Sequence, residues 1–560
     1  MLGAFRFFFK CFMALSIAFS SLFSPAVIVP PSANLDFDVL QYPAEAVKTL
    51  EEWSVINGKE ITVETLKSRA DSELELYVGC QGYEDVNGVI VSPYYTAKIG
   101  EKDVPVYAAT VFLGETQYGE LHSFSEVYFD EGEDFTFNIE LVSDDFKIKN
   151  AICLPESLDV EAKCNKCVMT ASINDFGIYT FLFNNASQEC SYTLFVRERV
   201  DEEAEIAKYK EQYGEENVLV VESGLTVTPY ACFTRDNYVV YLKQGAYVLA
   251  QHSFDIMSEQ DEFNCIENDA LGLNSIGLTR FPFVNFYKCD NIKFVGRGVL
   301  DLTPLDRRER RGVVFNECSN IEVEGIKIVN SPEWSFITYR CENLHVKDVD
   351  IFGYRQNSDA FAICNTQNGL IERCLARSGD DLFDVKTLGA PNNEGSENIT
   401  FTDCVAWGGK ARCYGIHGEV NRPIRNITFK DSAVICRDAT WNNNRIASLA
   451  VIVELADGSI DGVTFDNIEI FRDDGRAMAC VVFTEEIGDM DTVPIYNFTA
   501  DNIVFKNITY NAAMRSKFSA ANDTNTINVT VENVKSKSLK SSRDNWLMFE
   551  ADGFANVTYK

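Results

Sequence analysis

Cys289-Asp-Asn-Ile-Lys-Phe294, Cys318-Ser-Asn-Ile-Glu-Val323 and Cys341-Glu-Asn-Leu-His-Val346 are three copies of one phrase. Each has an asparagine two residues after the cysteine, followed by alternating apolar residues. The asparagine recurs after 29, 23, 25, 30 and 28 residues, at positions 291, 320, 343, 368, 398 and 426. Units of this length, made of short β-prone runs and polar turns without a helical period, indicate a solenoid of β-coils.

The region before the repeats has a different pattern. Residues 85–198 hold short β-rich runs separated by turn signals, which is typical of a small antiparallel sandwich. The sequence therefore predicts an all-β protein, a right-handed parallel β-helix preceded by a small β-sandwich domain. The predicted division is a signal peptide at 1–26, an N-terminal β-sandwich at 27–200, a linker or capping helix at 201–216 and the parallel β-helix, with the candidate catalytic residues, at 217–560.

Length and charge limit the partners. A chain of 560 residues is longer than one core usually serves. A net charge of −34 offers no basic field for nucleic acid. Arg6, Lys10, an apolar run at 11–23 and the small residues after it resemble an export signal, and the run is short for a membrane anchor. We expect a secreted, extracellular monomer that is not membrane-bound after signal cleavage.

The chain has 17 cysteines, and an exported protein can form disulfides. The cysteines of the repeat phrases fall at one repeat position, so a stack of buried thiols explains them at least as well. Cys164-x-x-Cys167 has no second pair or histidine cluster nearby, so it predicts a turn or a local disulfide. We expect no metal and no other cofactor.

Three aspartates stand in two short phrases, Asn357-Ser-Asp359 and Gly379-Asp380-Asp381. Alignment on the apolar residues that follow puts Asp359 and Asp381 in the same slot of neighbouring coils, which are roughly 4.8 Å apart. Carboxyl groups this close repel one another, so one keeps its proton while another stays ionised. An acid and a base on either side of a bond are what glycoside hydrolysis requires.

These phrases come in the order and spacing seen in polygalacturonase-like enzymes. The chain resembles glycoside hydrolase family 28, whose β-helix clan includes the dextranases. The resemblance implies that Asp380 is the general acid and that Asp359 and Asp381 hold and deprotonate the attacking water. It also implies inverting cleavage of a polysaccharide, either a pectin-like galacturonan or a related plant or microbial glycan. The matching phrases are Gly296-Arg-Gly-Val-Leu-Asp301, Asn330-Ser-Pro-Glu-Trp334, Asn357-Ser-Asp359 and Gly379-Asp380-Asp381.

Five further residues are candidates for substrate binding. The family's Gly-His-Gly phrase becomes Gly-Ile-His-Gly here, and alignment of Ile416 with Val385 puts Arg412 beside Asp381 and His417 over Lys386. The family's Arg-Ile-Lys phrase, which grips a uronate carboxylate, is absent. The predicted substrate-binding residues are Asn357, Lys386, Trp407, Arg412 and His417.

Two rival functions remain open at this stage. A β-helix lyase or epimerase acting on uronates needs a basic residue placed to abstract a proton, often with calcium. A non-catalytic carbohydrate-binding solenoid needs no cluster of like charges. The three aspartates favour the hydrolase over both.

Overall fold

The structure is a computed structural model. It describes residues 35–57, 62, 88–113, 118–142, 147–184, 187–251, 282–305, 309–353, 355, 357–389, 394–408, 411–437, 447–456, 458–471, 478–484, 496–511, 515–520, 523–536, 549–551 and 555–560. The predicted signal peptide lies outside these residues. Within them, α-helices span Leu50–Asn57 and Glu202–Tyr213, and 3₁₀ turns span Glu156–Leu158 and Glu215–Asn217. No helix in the described part is long and apolar enough to cross a membrane.

Most of the described strands belong to two long parallel sheets. The first, here called the long sheet, has 21 described strands. They are Val218–Val221, Gly224–Thr228, Tyr238–Leu242, Ala246–Ala250, Asp290–Gly296, Val299–Asp301, Ser319–Glu324, Lys327–Val329, Glu342–Lys347, Asp350–Phe352, Gln367–Glu372, Leu375–Ser378, Ser396–Thr402, Val405–Gly408, Ile424–Arg437, Ile460–Ile470, Thr499–Lys506, Thr509–Tyr510, Thr526–Glu532, Lys535–Ser536 and Ala555–Tyr559.

The second sheet carries the candidate residues and is here called the site sheet. Its 11 described strands follow one another in chain order, all paired in parallel. They are Ala231–Phe233, Pro282–Tyr287, Arg311–Asn316, Phe336–Tyr339, Phe361–Cys364, Phe383–Thr387, Tyr414–Val420, Ala447–Ala456, Met478–Thr484, Arg515–Ala520 and Phe549–Ala551. Each coil thus contributes to both sheets, and the predicted fold class, a right-handed parallel β-helix, is confirmed.

The repeated asparagines form a ladder at one turn of the coils. Asn320, Asn343 and Asn368 have φ of 52°, 56° and 57°, a left-handed conformation that asparagine tolerates better than most residues. The Asn343 Nδ2 donates to Asn320 Oδ1 at 3.0 Å, and Asn368 Nδ2 donates to Asn343 Oδ1 at 3.3 Å. Each side-chain amide therefore donates a hydrogen bond to the amide oxygen of the asparagine in the preceding coil. This repetition fixes the register of the coils.

Apolar side chains stack in the same way inside the β-helix. The ring centroids of Phe361 and Phe383 lie 5.0 Å apart, with an angle of 6° between the ring planes. The centroids of Phe383 and Tyr414 lie 4.9 Å apart, with an angle of 8° between the planes. Cys318 and Cys341 are buried thiols whose Sγ atoms donate to carbonyls of the preceding coil. The predicted thiol stack is confirmed, and Cys164 and Cys167 are also unbridged.

The N-terminal region forms two further sheets. One has the order Val89–Val91, Tyr107–Leu113, Tyr118–Phe129, Ser187–Glu198, Gly177–Phe183, Ala151–Leu154, with Asp38–Val39 paired to Tyr118–Phe129. The other has the order Lys102–Val104, Tyr95–Ile99, Phe135–Leu141, Val168–Ile173, Lys163–Asn165. Side chains of both sheets share one apolar cluster. The sandwich and the domain boundaries stay predictions.

Buried charges join the N-terminal region to the long sheet. Arg197 lies 2.7 Å from Asp348 and 3.0 Å from Asp350, with all three side chains at least nine-tenths buried. Lys327 contacts Glu126 and lies 2.9 Å from Asp350. These ion pairs hold the N-terminal strands against the back of the β-helix and leave the site sheet on another face.

Candidate active site

Three candidate residues occupy one register position in successive coils of the site sheet. The amide of Ala360 donates to the carbonyl of Asp381 at 2.8 Å, and the amide of Leu382 donates to the carbonyl of Arg412 at 3.0 Å. Asp359, Asp381 and Arg412 are therefore stacked on neighbouring coils, which are about 4.8 Å apart. The predicted alignment of Asp359 with Asp381, and of Arg412 beside Asp381, is confirmed.

Arg412 holds Asp381 in a two-pronged ion pair. Its Nε donates to Oδ1 at 2.7 Å and its Nη2 donates to Oδ2 at 2.8 Å, while its backbone amide donates to Oδ1 at 3.1 Å. Burial alone would raise the pKa of Asp381, but Arg412, then His417 and Lys386, lower this pKa to about 2. Asp381 is thus a carboxylate at any pH near neutrality.

Asp380 is in the opposite state. Burial raises its pKa most, the neighbouring charge of Asp381 raises it further, and the pKa reaches about 6 although Arg412 and Lys386 oppose the rise. The Asp380 carboxyl accepts hydrogen bonds from the amide of Asn357 at 3.2 Å and from the amide of Asp381 at 3.1 Å. Asp380 is also more exposed than Asp359 or Asp381, which are both buried. It is the carboxyl of the three that can reach a ligand while it carries a proton.

Asp359 is buried beside a lysine. Burial raises its pKa well above the usual range of a carboxyl group, Lys386 opposes that rise, and the charges of Asp380 and Asp381 add to it. Its Oδ2 accepts a hydrogen bond from Lys386 Nζ at 3.3 Å. The trio thus combines one firmly ionised carboxylate with two carboxyl groups that hold protons more tightly.

The site contains two acids that we do not predict from the sequence, Asp384 and Glu419. Lys386 Nζ lies 3.0 Å from Asp384 Oδ2 and 3.5 Å from Glu419 Oε2. Asp384 and Lys386 are two residues apart on the strand Phe383–Thr387 and so point to the same side of the sheet. That i, i+2 spacing of opposite charges is the sequence signal that could have revealed Asp384.

His417 lies among the aspartates instead of over Lys386. Val385 pairs with Ile416 as predicted, but the register then shifts and Thr387 pairs with Val420. This bulge re-aims the side chains that follow Ile416. The His417 Nδ1 lies 3.4 Å from Asp384 Oδ1 and 3.6 Å from Asp381 Oδ1. Burial lowers the pKa of His417 to about 3, so its ring is neutral.

Asp381, Asp384 and His417 each place a ligand atom within 4.8 Å of the others, a spacing that a metal ion could use. However, Arg412 already binds both oxygens of Asp381, and Lys386 lies 3.0 Å from Asp384. These two cations neutralise the carboxylates that a metal would need. The donor set therefore fits an ion-pair network better than a metal centre.

The prediction that Trp407 binds substrate is wrong. Trp407 lies on the strand Val405–Gly408 of the long sheet, is 1% exposed and packs beneath the N-terminal region. The guanidinium of Arg377 lies 3.7 Å from its ring centroid, and the ring of His122 meets it edge-on at 5.5 Å. A ring enclosed in this way offers no face to a sugar.

The remaining predicted binding residues lie around the aspartates. Asn357 has φ of 64°, is partly exposed, and its amide contacts Asp380. Arg412, Lys386 and His417 are each at most 5% exposed and contact carboxyl groups of the site. Direct contact of these four residues with a sugar stays a prediction.

Part of the chain is similar in sequence to known glycosyl hydrolases. The sequence model of glycosyl hydrolases family 28 matches residues 303–548, a range that contains all three aspartates. Endopolygalacturonase I of Aspergillus aculeatus is 29% identical over 200 residues, which cover 34% of this chain and 48% of that protein. The chain thus spans about half the length of this curated relative.

Two solved structures align with the chain at low identity. An exopolygalacturonase from Thermotoga maritima aligns over 64% of this chain and 86% of its own at 17% identity, with a TM-score of 0.42. Dex49A from Penicillium minioluteum aligns over 84% and 95% at 11% identity, with a TM-score of 0.48. Residues 303–548 of the chain are therefore similar to glycosyl hydrolases family 28, and the curated relative that matches is an endopolygalacturonase.

Proposed function

We propose that this protein is a secreted, inverting glycoside hydrolase that cleaves a galacturonan or a related polysaccharide by aspartate acid–base catalysis. The observation that carries the proposal is the opposite protonation of two adjacent residues. Arg412 helps to lower the pKa of Asp381 to about 2, while burial and Asp381 raise that of Asp380 to about 6. When the pKa values of two neighbouring carboxyl groups are pushed apart, the group with the higher pKa can act as the acid and the group with the lower pKa as the base.

In this proposal Asp380 protonates the leaving glycosidic oxygen. It is the more exposed member of the trio and holds its proton near neutral pH. Asp381, ionised and fixed by Arg412, accepts a proton from the attacking water, and Asp359 on the neighbouring coil holds that water. An inverting site needs an acid–base separation of roughly 6.5–9.5 Å. In this proposal the Asp380 carboxyl keeps that separation from the water-holding carboxyl groups of Asp359 and Asp381.

The two rivals fit the site less well. A lyase needs a basic group to remove a proton from carbon, but Arg412 and Lys386 are both paired with carboxylates. A solenoid that only binds carbohydrate gains nothing from aspartates buried side by side, because buried like charges are costly. The polygalacturonase names of the curated relatives and the family match support a hydrolase on galacturonan.

In this proposal the substrate is a polysaccharide, and the question is whether its sugars are neutral or acidic. The Arg-Ile-Lys phrase is missing from the coil at Ala447–Ala456, which reads Ser448-Leu-Ala-Val-Ile-Val-Glu454 in this region. We therefore propose that a neutral glycan, or a polymer mixing neutral and acidic sugars, is cut faster than unmodified polygalacturonate. The start of the chain resembles an export signal, which supports an extracellular site of action.

A reducing-end assay on plant, algal and microbial polysaccharides tests the proposal. The wild-type protein should release reducing ends from at least one polymer, and Asp380→Asn should abolish most of that release. Asp403→Asn is the matched control, because Asp403 is exposed and its φ of 55° suits asparagine. No release by the wild type from any polymer would refute the hydrolase. Equal release by Asp380→Asn would refute the role of Asp380.

A further inference from the structure

Lys386 is enclosed by carboxyl groups from three successive coils: Asp359 just before the strand Phe361–Cys364, and Asp384 and Glu419 on the next two strands of the site sheet. Its Nζ lies 3.3 Å from Asp359 Oδ2, 3.0 Å from Asp384 Oδ2 and 3.5 Å from Glu419 Oε2. Its side chain is 5% exposed, and its Nζ lies 4.4 Å from the centroid of the Trp334 ring. A buried ammonium group is costly unless it is paired, so these contacts fix its position.

The number of partners matters because an ammonium group has three N–H donors. Among the described residues, three carboxyl groups lie within 3.5 Å of Lys386 Nζ. A substrate carboxylate would have to displace one of them. This arrangement argues against binding of a substrate carboxylate by Lys386. It favours a role in which Lys386 binds carboxyl groups of the protein itself.

Asp384 and Glu419 have no part in the acid–base trio. Asp384 lies on the same strand as Lys386, and Glu419 lies in the bulged strand Tyr414–Val420 of the next coil. Glu419 contacts Lys386 from the coil opposite that of Asp359, and Asp384 contacts it from Lys386's own strand. They supply the counter-charges that hold the ammonium group in place while it contacts Asp359.

We propose that Lys386 is a positioning residue that holds Oδ2 of Asp359 by an ion pair, so that the other carboxyl oxygen faces the attacking water, and that Asp384 and Glu419 anchor Lys386 for this purpose. The inference rests on the proposed function and adds a role for three residues of that site. In this inference Lys386 acts through Asp359, in place of the sugar contact that the sequence predicts for it.

Removal of the ammonium group has a defined electrostatic sign. Lys386 favours the ionised form of Asp359, so its loss raises the pKa of Asp359 further. Other charged or titratable groups face this pair from the same and neighbouring coils, and they remain in place: Cys364, Asp380, Asp381, Asp384, Arg412, His417 and Glu419.

The test compares Lys386→Met with Lys386→Arg and with Lys347→Met. Lys347 pairs with Glu324 at 2.7 Å on the long sheet, so its loss removes a lysine ion pair far from the site. The protein is labelled with ¹³Cγ-aspartate, and the Asp359 signal is the one that disappears in Asp359→Asn. In Lys386→Met this signal should titrate at higher pH than in the wild type. In Lys386→Arg and Lys347→Met it should titrate close to the wild-type pH.

Kinetics give a second readout. Misplacement of a reacting group by about 1 Å costs on the order of 10²-fold in rate, so Lys386→Met should lower kcat by about that factor with little change in KM. The acid limb of its pH–rate profile should move to higher pH. Without the positive charge of Lys386, Asp359 loses its proton only at higher pH. If Lys386→Met does not fold, Asp384→Asn/Lys386→Met removes one charge of each sign and carries the same expectations.

An unchanged Asp359 titration in Lys386→Met would overturn the inference. A rise in KM for an acidic polymer with kcat unchanged would also overturn it and would make Lys386 a substrate ligand. A wild-type protein that hydrolyses no polymer would refute the proposed function instead. The ¹³C titration would still decide in that case whether Lys386 controls Asp359.

Discussion

Arg412 grips both carboxylate oxygens of Asp381, at 2.7 and 2.8 Å, from the adjacent coil of the site sheet. Both side chains are buried, so the pair is shielded from solvent and salt. The grip explains how two adjacent aspartates can differ in protonation: Asp381 is stabilised as an anion, and its charge then helps Asp380 to keep a proton. We therefore expect that the main role of Arg412 is to set the protonation of the aspartates and not to bind the substrate.

This relationship predicts the behaviour of Arg412→Met. Without the guanidinium, Asp381 is a buried carboxylate lacking its main partner, its pKa rises, and the proposed base is weakened. We expect kcat to fall by on the order of 10²-fold or more, as for loss of a proton-transfer group. The fall should be similar on polygalacturonate and on a neutral polymer.

Parallel kinetics on both polymers check this expectation. A large rise in KM on polygalacturonate alone would contradict it, because that result would mean that Arg412 reads the substrate's carboxylates. Arg425→Met is the control, since Arg425 is an exposed arginine of the long sheet that lies 3.9 Å from Glu397.

The pKa of about 6 for Asp380 predicts a pH profile. A general acid must be protonated, so kcat/KM should fall as pH rises through about 6 and Asp380 loses its proton. Asp381, with a pKa of about 2, stays ionised across the same range and does not contribute to this limb. Rates measured from about pH 4 to about pH 9 bracket this titration and test the prediction.

The residual activity of Asp380→Asn provides the control for the pH profile. An amide does not titrate, so the decline on the alkaline side should be absent from this variant. A decline of the same shape in Asp380→Asn would assign the proton to another group, with Asp359 the first to test.

The buried charges behind the β-helix predict a difference in stability between two lysine variants. Lys327→Met leaves Glu126 and Asp350 buried without their ammonium partner, which should lower the free energy of unfolding by about 3–5 kcal/mol. Lys98→Met removes an exposed pair with Asp103 and should cost about 0–1 kcal/mol. Urea unfolding of both variants measures the difference. Equal losses would mean that the Lys327 pairs contribute no more than surface charges.

The sequence was sufficient to predict the β-helix because its signals are local and repeated. The asparagine and the apolar positions recur from coil to coil, and the structure stacks them as Asn320 on Asn343 and Phe361 on Phe383. The thiol precedes the asparagine in three of the phrases, at Cys289, Cys318 and Cys341. The same repetition allowed the alignment of Asp359 with Asp381. A periodic pattern fixes register because a slip would break every rung at once.

The errors arose where the environment of a residue depends on distant segments. Trp407, beside Gly408 and Gly409, has the local sequence of an exposed loop, but strands of the N-terminal region cover it and His122 packs on its ring. His417 lies away from its predicted position because a bulge interrupts the strand pairing after Ile416. No local sequence pattern indicates that bulge. Asp384 lies outside the family phrases, so those phrases do not indicate it, and its spacing of two residues from Lys386 is the local signal for it.

In the proposed mechanism Asp380 donates a proton while water activated at Asp359 and Asp381 attacks the sugar from the opposite side. The decisive measurement is ¹H NMR of the anomer that the wild-type protein forms first, before mutarotation mixes the products. We expect inversion of the anomeric configuration, because no carboxylate attacks carbon. Net retention would contradict it, since that outcome requires a covalent intermediate on one of the aspartates.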